Sequence, residues 1–134
     1  MDIYIKGRYD YGIGKCAVVV VDNGEVVYQK AKAFDDKTIT YKGVTVNNES
    51  INCEILSAIC GVMIAKSRGA EEVTIYGNTQ YQKWYSKLDY PEGRTLMHVF
   101  ESESKGMAVN AEFIHKADKN EYNQLVNTIA LSIE

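Results

Sequence analysis

The chain has 134 residues, enough for one domain with a real core, and 46% of them are hydrophobic, which excludes wholesale disorder. A formal net charge of −3 and a pI near 5.4 argue against a coat of positive charge for nucleic acid, while leaving room for a local basic patch. No apolar run is read as long enough to span a membrane, and the N-terminus lacks the basic-then-apolar pattern of a signal peptide, so no membrane partner is expected. The three cysteines, Cys16, Cys53 and Cys60, form no C-x-x-C pair and sit in apolar surroundings. They are read as buried thiols of a reducing, cytoplasmic compartment, with no zinc site and no disulfide framework.

Residues 2–6 alternate and predict a short strand, with Ile3 and Ile5 on one face and Tyr4 and Lys6 on the other. Gly7 breaks the run, and residues 8–14, ending in two glycines, are expected to form a sharply turning loop. Residues 15–21 are a buried β-branched strand. Asn23-Gly24 predicts a two-residue hairpin turn, and residues 25–33 return as a third strand of an antiparallel meander. Residues 34–49 fit either a small hairpin around Lys42-Gly43 or a plain surface loop.

Asn48 or Ser50 is placed to cap a helix that starts at residue 51 and ends near Arg68-Gly69. Nearly every face of this helix is apolar, so it should be covered on most sides, by a sheet. Glu54 stands at the head of a small-residue row, Ala58, Gly61 and Ala65, that would let the helix lie close to its neighbour. A carboxylate there needs a metal, a cation or several hydrogen bonds. A fourth strand, 72–76, follows, then a short helix at 79–88 and another at 92–105 opened by Pro91. A fifth strand covers 108–115. Asp118 to Glu121 reads as a capping box for a last helix with Tyr122, Leu125, Val126, Ile129, Ala130 and Ile133 on one face and Asn123 and Asn127 beside it. The expected architecture is α/β: a mixed five-stranded sheet, three antiparallel strands then parallel crossovers, flanked by helices in one domain over 1–134.

This order resembles the ribonuclease H family, of the ribonuclease HI type. Ile3-Tyr-Ile-Lys-Gly-Arg is similar to the family's first strand and its Asp-Gly-Ser signature. Asn52-Cys-Glu-Ile-Leu-Ser-Ala-Ile resembles the helix bearing its catalytic glutamate. Ile75-Tyr-Gly-Asn-Thr-Gln-Tyr resembles the fourth strand and its Thr-Asp-Ser-Gln-Tyr ending. Phe113-Ile-His-Lys-Ala-Asp-Lys-Asn-Glu-Tyr-Asn-Gln-Leu resembles the histidine loop and the Asp-x-Leu that follows. Each motif is weak alone; together they run along nearly the whole chain in the right order.

The resemblance implies a nuclease that cuts the RNA strand of RNA–DNA hybrids with two magnesium ions held by four carboxylates. At the matching positions this chain has Lys6, Glu54, Asn78 and Asn123, so one acid remains. His115 matches the family's mobile histidine. The family's Thr-Asn-Asn, which touches the RNA strand, is replaced by Glu49-Ser50-Ile51. Magnesium ions roughly 4 Å apart need several anionic oxygens, and a protonated lysine offers no lone pair. The expectation is a vestigial site without metal or other cofactor, in which Lys6 pairs with Glu54 and the asparagines hydrogen-bond around them. For Glu54 the plainer reading is a satisfied buried acid, for His115 a locally bonded loop residue, and for Asn78 a strand-end turn residue.

Tyr9, Tyr11, Tyr81, Trp84 and Tyr85, with Lys83, Lys87 and Arg94 nearby, are candidates for stacking on nucleic acid or meeting a protein partner; a place in the core is the plainer account. The leading functional expectation is a catalytically inactive domain serving as an interaction or scaffold module for a protein partner. The alternative is binding of RNA–DNA hybrid or duplex without cleavage. Weak metal-dependent nuclease activity, with Glu54 helped by Asp10 or Asp118, ranks last.

Overall fold

Three two-residue turns of the form X-Gly shape the antiparallel part of this protein. Tyr11-Gly12, Asn23-Gly24 and Lys42-Gly43 each carry positive φ at both positions, near 50° and then near 80° (53° and 80°, 52° and 78°, 48° and 77°). That pairing matches the right-handed twist of the strands it joins. The first turn links β1 (Asp2–Asp10) to β2 (Ile13–Asp22) and the second links β2 to β3 (Glu25–Phe34). The expected loop over 8–14 is therefore mostly strand. Arg8 pairs with Lys15 and Tyr9 with Gly14, because Tyr11 accepts the left-handed conformation and keeps the reversal to two residues. The third turn makes 38–47 a separate hairpin, β4 (Thr38–Tyr41) and β5 (Val44–Asn47), which decides between the two alternatives for that stretch.

The computed structural model describes residues 1–78 and 95–133. α1 (Ser50–Ser67) leads to β6 (Glu72–Gly77), and α2 (Leu96–Glu103), β7 (Ala108–Phe113) and α3 (Glu121–Ser132) complete the chain. The sheet order is β3-β2-β1-β6-β7, with β1, β6 and β7 mutually parallel. The expected helix at 79–88 lies outside the described residues, as does Pro91, and the helix expected over 92–105 is described from Leu96 to Glu103.

Helices cover both faces of the sheet, which explains why Val18, Val19, Val20 and Val21 form an unbroken buried run. Ile3, Ile5, Val18, Val20 and Ile75 pack under α1 and α2, and Tyr4, Val19 and Val21 pack under α3 through Val126 and Ala130. Each fully buried aliphatic side chain contributes about 1.5–3 kcal/mol. The small-residue row on α1 does what its spacing predicts: a Cβ on Gly61 would lie 2.4 Å from Ile3. At 18 residues and a mean hydropathy of 1.3, α1 does reach the length and apolarity of a membrane span, contrary to expectation, but 61% of it is buried within this fold.

Both expected caps differ. The N-cap of α1 is Glu49, with no side-chain cap; Asn48 lies one residue before it, and its Nδ2 donates to Phe34 O at 3.0 Å and Asp36 O at 2.8 Å, tying the β4–β5 hairpin to the sheet. The N-cap of α3 is Asn120 rather than Asp118. Its Oδ1 accepts from the N–H groups of Tyr122 and Asn123, while Asp118 Oδ1, two residues earlier, accepts from the Asn120 N–H.

Candidate ligand site at the ends of the parallel strands

β1 and β6 pair in parallel with Asp2 beside Thr74 and Tyr4 beside Tyr76. Continuing that register brings Lys6 level with Asn78, just past the end of β6. Lys6 Nζ donates to Asn78 Oδ1 at 2.7 Å, and Asn78 Nδ2 donates to Ile114 O at 2.7 Å. A lysine, a neutral amide and the backbone after β7 thus form a chain from the middle of β1 to the carboxyl ends of its parallel neighbours β6 and β7. Open α/β sheets bind ligands there.

Gly7 brings α1 down onto this place. A Cβ at Gly7 would lie 2.2 Å from the Glu54 backbone nitrogen, so only glycine permits the approach. Ser57 Oγ adds a hydrogen bond to Lys6 O at 3.1 Å. Glu54 is 4% exposed and its carboxylate lies against Gly77, where a Cβ would come within 2.8 Å of Oε1. The direct Lys6–Glu54 pair expected from the sequence is replaced by the Lys6–Asn78 hydrogen bond. Among the described residues the ion pairs are Arg8–Asp10 and Lys42–Glu103. Glu54 still acts on Lys6 through its charge. Burial first, then the like charge of Arg8, hold the Lys6 ammonium below the usual lysine range; Glu54 pulls it back up, and Lys116 adds to the depression.

Asn123 is 2% exposed and faces the backbone rather than the strand ends. Its Nδ2 donates to His115 O, Lys116 O and Asp118 O at 3.1–3.3 Å, and Asn127 Nδ2 reaches Lys116 O at 3.0 Å. The two asparagines therefore hold the loop from His115 to Asp118 onto α3. His115 Nδ1 accepts the Ala117 N–H at 3.1 Å, the local bonding of its plainer reading. The second histidine, His98, accepts the Thr95 N–H through Nδ1 at the start of α2.

Of the aromatic candidates, Tyr9 is 42% exposed and Tyr11 fully so, at the tip of the β1–β2 hairpin. Tyr81, Lys83, Trp84, Tyr85, Lys87 and Arg94 lie outside the described residues. Asp10 is committed to Arg8, through Nε at 2.8 Å and a terminal nitrogen at 2.6 Å, and Asp118 to the Asn120 cap. The sequence-based candidates omit Arg8 and Lys116, which join Lys6 in one positive field, and the exposed ring of Phe113 at the end of β7. An exposed arginine or lysine carries no sequence signal until the fold brings it beside another.

No family model and no curated protein matches this sequence. Solved structures do match. RNase H1 from the halophilic archaeon Halobacterium salinarum NRC-1 superposes with a TM-score of 0.62 at 12% identity, over 97% of this chain and 93% of that one. The N-terminal RNase H domain of a Mycobacterium tuberculosis protein, solved as a fusion with maltose-binding protein, gives 0.60 at 15% identity, over 98% and 94%. LC11-RNase H1, solved in complex with an RNA/DNA hybrid, gives 0.63 at 13% identity, over 96% and 95%. With its β3-β2-β1-β6-β7 sheet and its crossover helix α1, this chain has the ribonuclease H-like fold.

Proposed function

We propose that this protein is a non-cleaving ribonuclease H-like domain that binds a nucleic-acid backbone, RNA–DNA hybrid or duplex, at Lys6 of β1 and across the carboxyl ends of β6 and β7. The observation that carries the reading is the Lys6 ammonium, held by Asn78 at 2.7 Å where the resemblance would place a metal-bridging carboxylate. The donors at the matching positions do not fit a pair of magnesium ions. The Asn78 oxygen faces an ammonium, and the Asn123 amide nitrogen points at three carbonyl oxygens. Two divalent cations need several anionic oxygens between them, and Glu54 alone supplies a carboxylate among these four.

A fixed cation suits a phosphate. Arg8 and Lys116 act on Lys6 as like charges, so an anion brought to this end of the sheet relieves their repulsion and can pair with Lys6 and Lys116, Arg8 being already bound to Asp10. Tyr9 and Tyr11 extend from the same hairpin as exposed rings on which bases could stack. That a solved relative in fold was captured with an RNA/DNA hybrid supports the choice of ligand.

The test is fluorescence anisotropy of a labelled RNA–DNA hybrid titrated with the protein, with magnesium present and salt varied. Binding should weaken with salt with a slope of about −2, for about two phosphate contacts. Lys6→Glu should abolish it, and the hybrid should emerge uncut. Cleavage in that tube overturns the non-cleaving part. The absence of binding at tens of micromolar, about the non-specific range for nucleic acid, overturns the nucleic-acid part and leaves the protein-partner reading.

A further inference from the structure

A groove lies between the α1 face of the sheet and the β4–β5 hairpin. Its volume is about 360 Å³, and its walls come from β2, β3, α1 and β4 of the hairpin. Leu56, Cys60 and Met63 of α1 line one side, and Ile39 of β4 closes the end. Lys30 and Lys32 of β3 stand at the exposed rim.

The groove is preformed. Asn48 fastens the hairpin to the sheet through Phe34 O and Asp36 O, and Tyr41 OH reaches Met63 Sδ at 3.2 Å. The Lys42–Glu103 ion pair, 2.7 Å, fixes the hairpin tip to α2. A wall anchored at three points holds the space open without a ligand. The volume falls within the range of small-molecule sites, which pair an apolar lining with a few placed polar groups.

The rim supplies those groups with one sign of charge. Ion pairs among the described residues join Arg8 to Asp10 and Lys42 to Glu103, so Lys30 and Lys32 have no carboxylate partner there. Lys32 Nζ instead lies 5.2 Å from the centroid of the Phe34 ring. Two unneutralised ammonium groups above an apolar floor complement a molecule with a greasy body and an anionic head. We propose that this groove is a binding site for an amphipathic organic anion, its apolar body between β3 and α1 and its carboxylate or sulfonate between Lys30 and Lys32.

The test uses two fluorescent probes that share one aromatic body, 1-anilinonaphthalene-8-sulfonate and the uncharged N-phenyl-1-naphthylamine. The full chain should bind the sulfonate saturably and one to one. K30Q/K32Q should weaken the sulfonate about tenfold and leave the neutral probe unchanged, since the exposed lysines contribute charge rather than packing. Cys60 lines the groove and is partly exposed, so bound sulfonate should slow its alkylation by N-ethylmaleimide. Circular dichroism keeps the double variant honest as a folded protein. The proposal is overturned if the sulfonate binds at several weak sites, as a loose apolar surface or a peptide groove would give. It is equally overturned if K30Q/K32Q leaves sulfonate affinity unchanged, or if Cys60 reacts at the same rate with and without it. None of these readouts depends on nucleic-acid binding.

Discussion

Lys6 and Asn78, seventy-two residues apart in the chain, meet at 2.7 Å because β1 and β6 are parallel neighbours in register. The amide serves both ends: its oxygen accepts from the ammonium and its nitrogen donates to Ile114 O. Asn78→Ala strands a partly buried ammonium and a partly buried carbonyl together and should cost about 2 kcal/mol in urea unfolding. In a Lys6→Met background only the carbonyl remains stranded, so the same change should cost about 1 kcal/mol. Equal costs in both backgrounds would mean that the lysine draws nothing from the amide.

Gly7 and Gly12 sit on the same hairpin and should respond differently to alanine. At Gly7 the new methyl meets the backbone of Glu54 and Ser50 at 2.2–2.5 Å, and backbone cannot step aside as a side-chain tip can. Gly7→Ala should cost about 3 kcal/mol and shift α1 away from β1. At Gly12 nothing lies within 4 Å, and the penalty is only that of φ +80°, about 1 kcal/mol. Thermal unfolding of the two variants side by side checks this; a mild Gly7→Ala would refute the close helix–strand approach that seats Glu54.

Much of this was legible in the sequence, and what was not has physical reasons. The valine run, the Asn23-Gly24 turn and the small-residue row on α1 are local signals that tertiary contacts reinforce, so they survive folding unchanged. The sharp turn expected within 8–14 is there, but its confinement to Tyr11-Gly12 is not legible, because tyrosine rarely takes positive φ; strand pairing on both sides imposes it. Asn48 looks like a cap, but its amide is engaged by carbonyls of β3 and the turn after it, which its local sequence does not reveal; Asp118 takes the N–H two residues on and leaves the cap to Asn120. At the site, the positions of Lys6, Glu54 and Asn78 followed from motif order. That Lys6 would choose Asn78 rather than Glu54 did not, since it depends on the register between strands distant in the chain.

Alkaline pH should destabilise the protein from about pH 9 upward through two cysteines. Burial raises the Cys16 thiol from 9.0 to about 11 and the Cys53 thiol from 9.0 to about 12. A group raised on folding gives stability that is complete below its unfolded pKa and lost as pH climbs through the folded one. Each thiol therefore removes up to about 1.4 kcal/mol per pH unit above 9. Lys6 works the other way: its lowered affinity for a proton makes stability rise with pH below 10.5, a partial offset. At about pH 10 the phenols of Tyr4 and Tyr76, which burial also raises, add to the loss. Urea unfolding at pH 8.5, 9.0 and 9.5 (chosen to span roughly the unfolded thiol pKa and stay below that of tyrosine) should therefore show the decline due to the thiols, and Cys53→Ala should reduce its slope whatever it does to stability at neutral pH. A flat profile in the wild type would exclude buried neutral thiols.

Asn123→Asp restores a carboxylate at the position where the resemblance implies one, yet here it should harm the fold. The Asn123 Nδ2 group donates to His115 O, Lys116 O and Asp118 O; a carboxylate would present an acceptor oxygen to three acceptor oxygens. Burial at 2% exposure removes the water that could mediate. The loss should be about 2–4 kcal/mol at pH 7, easing in acid as the carboxyl gains a proton it can donate. Asn123→Ala, which removes the donor without adding charge, should cost less, about 1–3 kcal/mol. If Asn123→Asp proved as stable as wild type, and magnesium then raised its melting temperature, the loop after β7 could turn this side chain back toward the strand ends. An aspartate no more stable with magnesium than without would leave residue 123 as a clamp on the loop, fixed by three carbonyls.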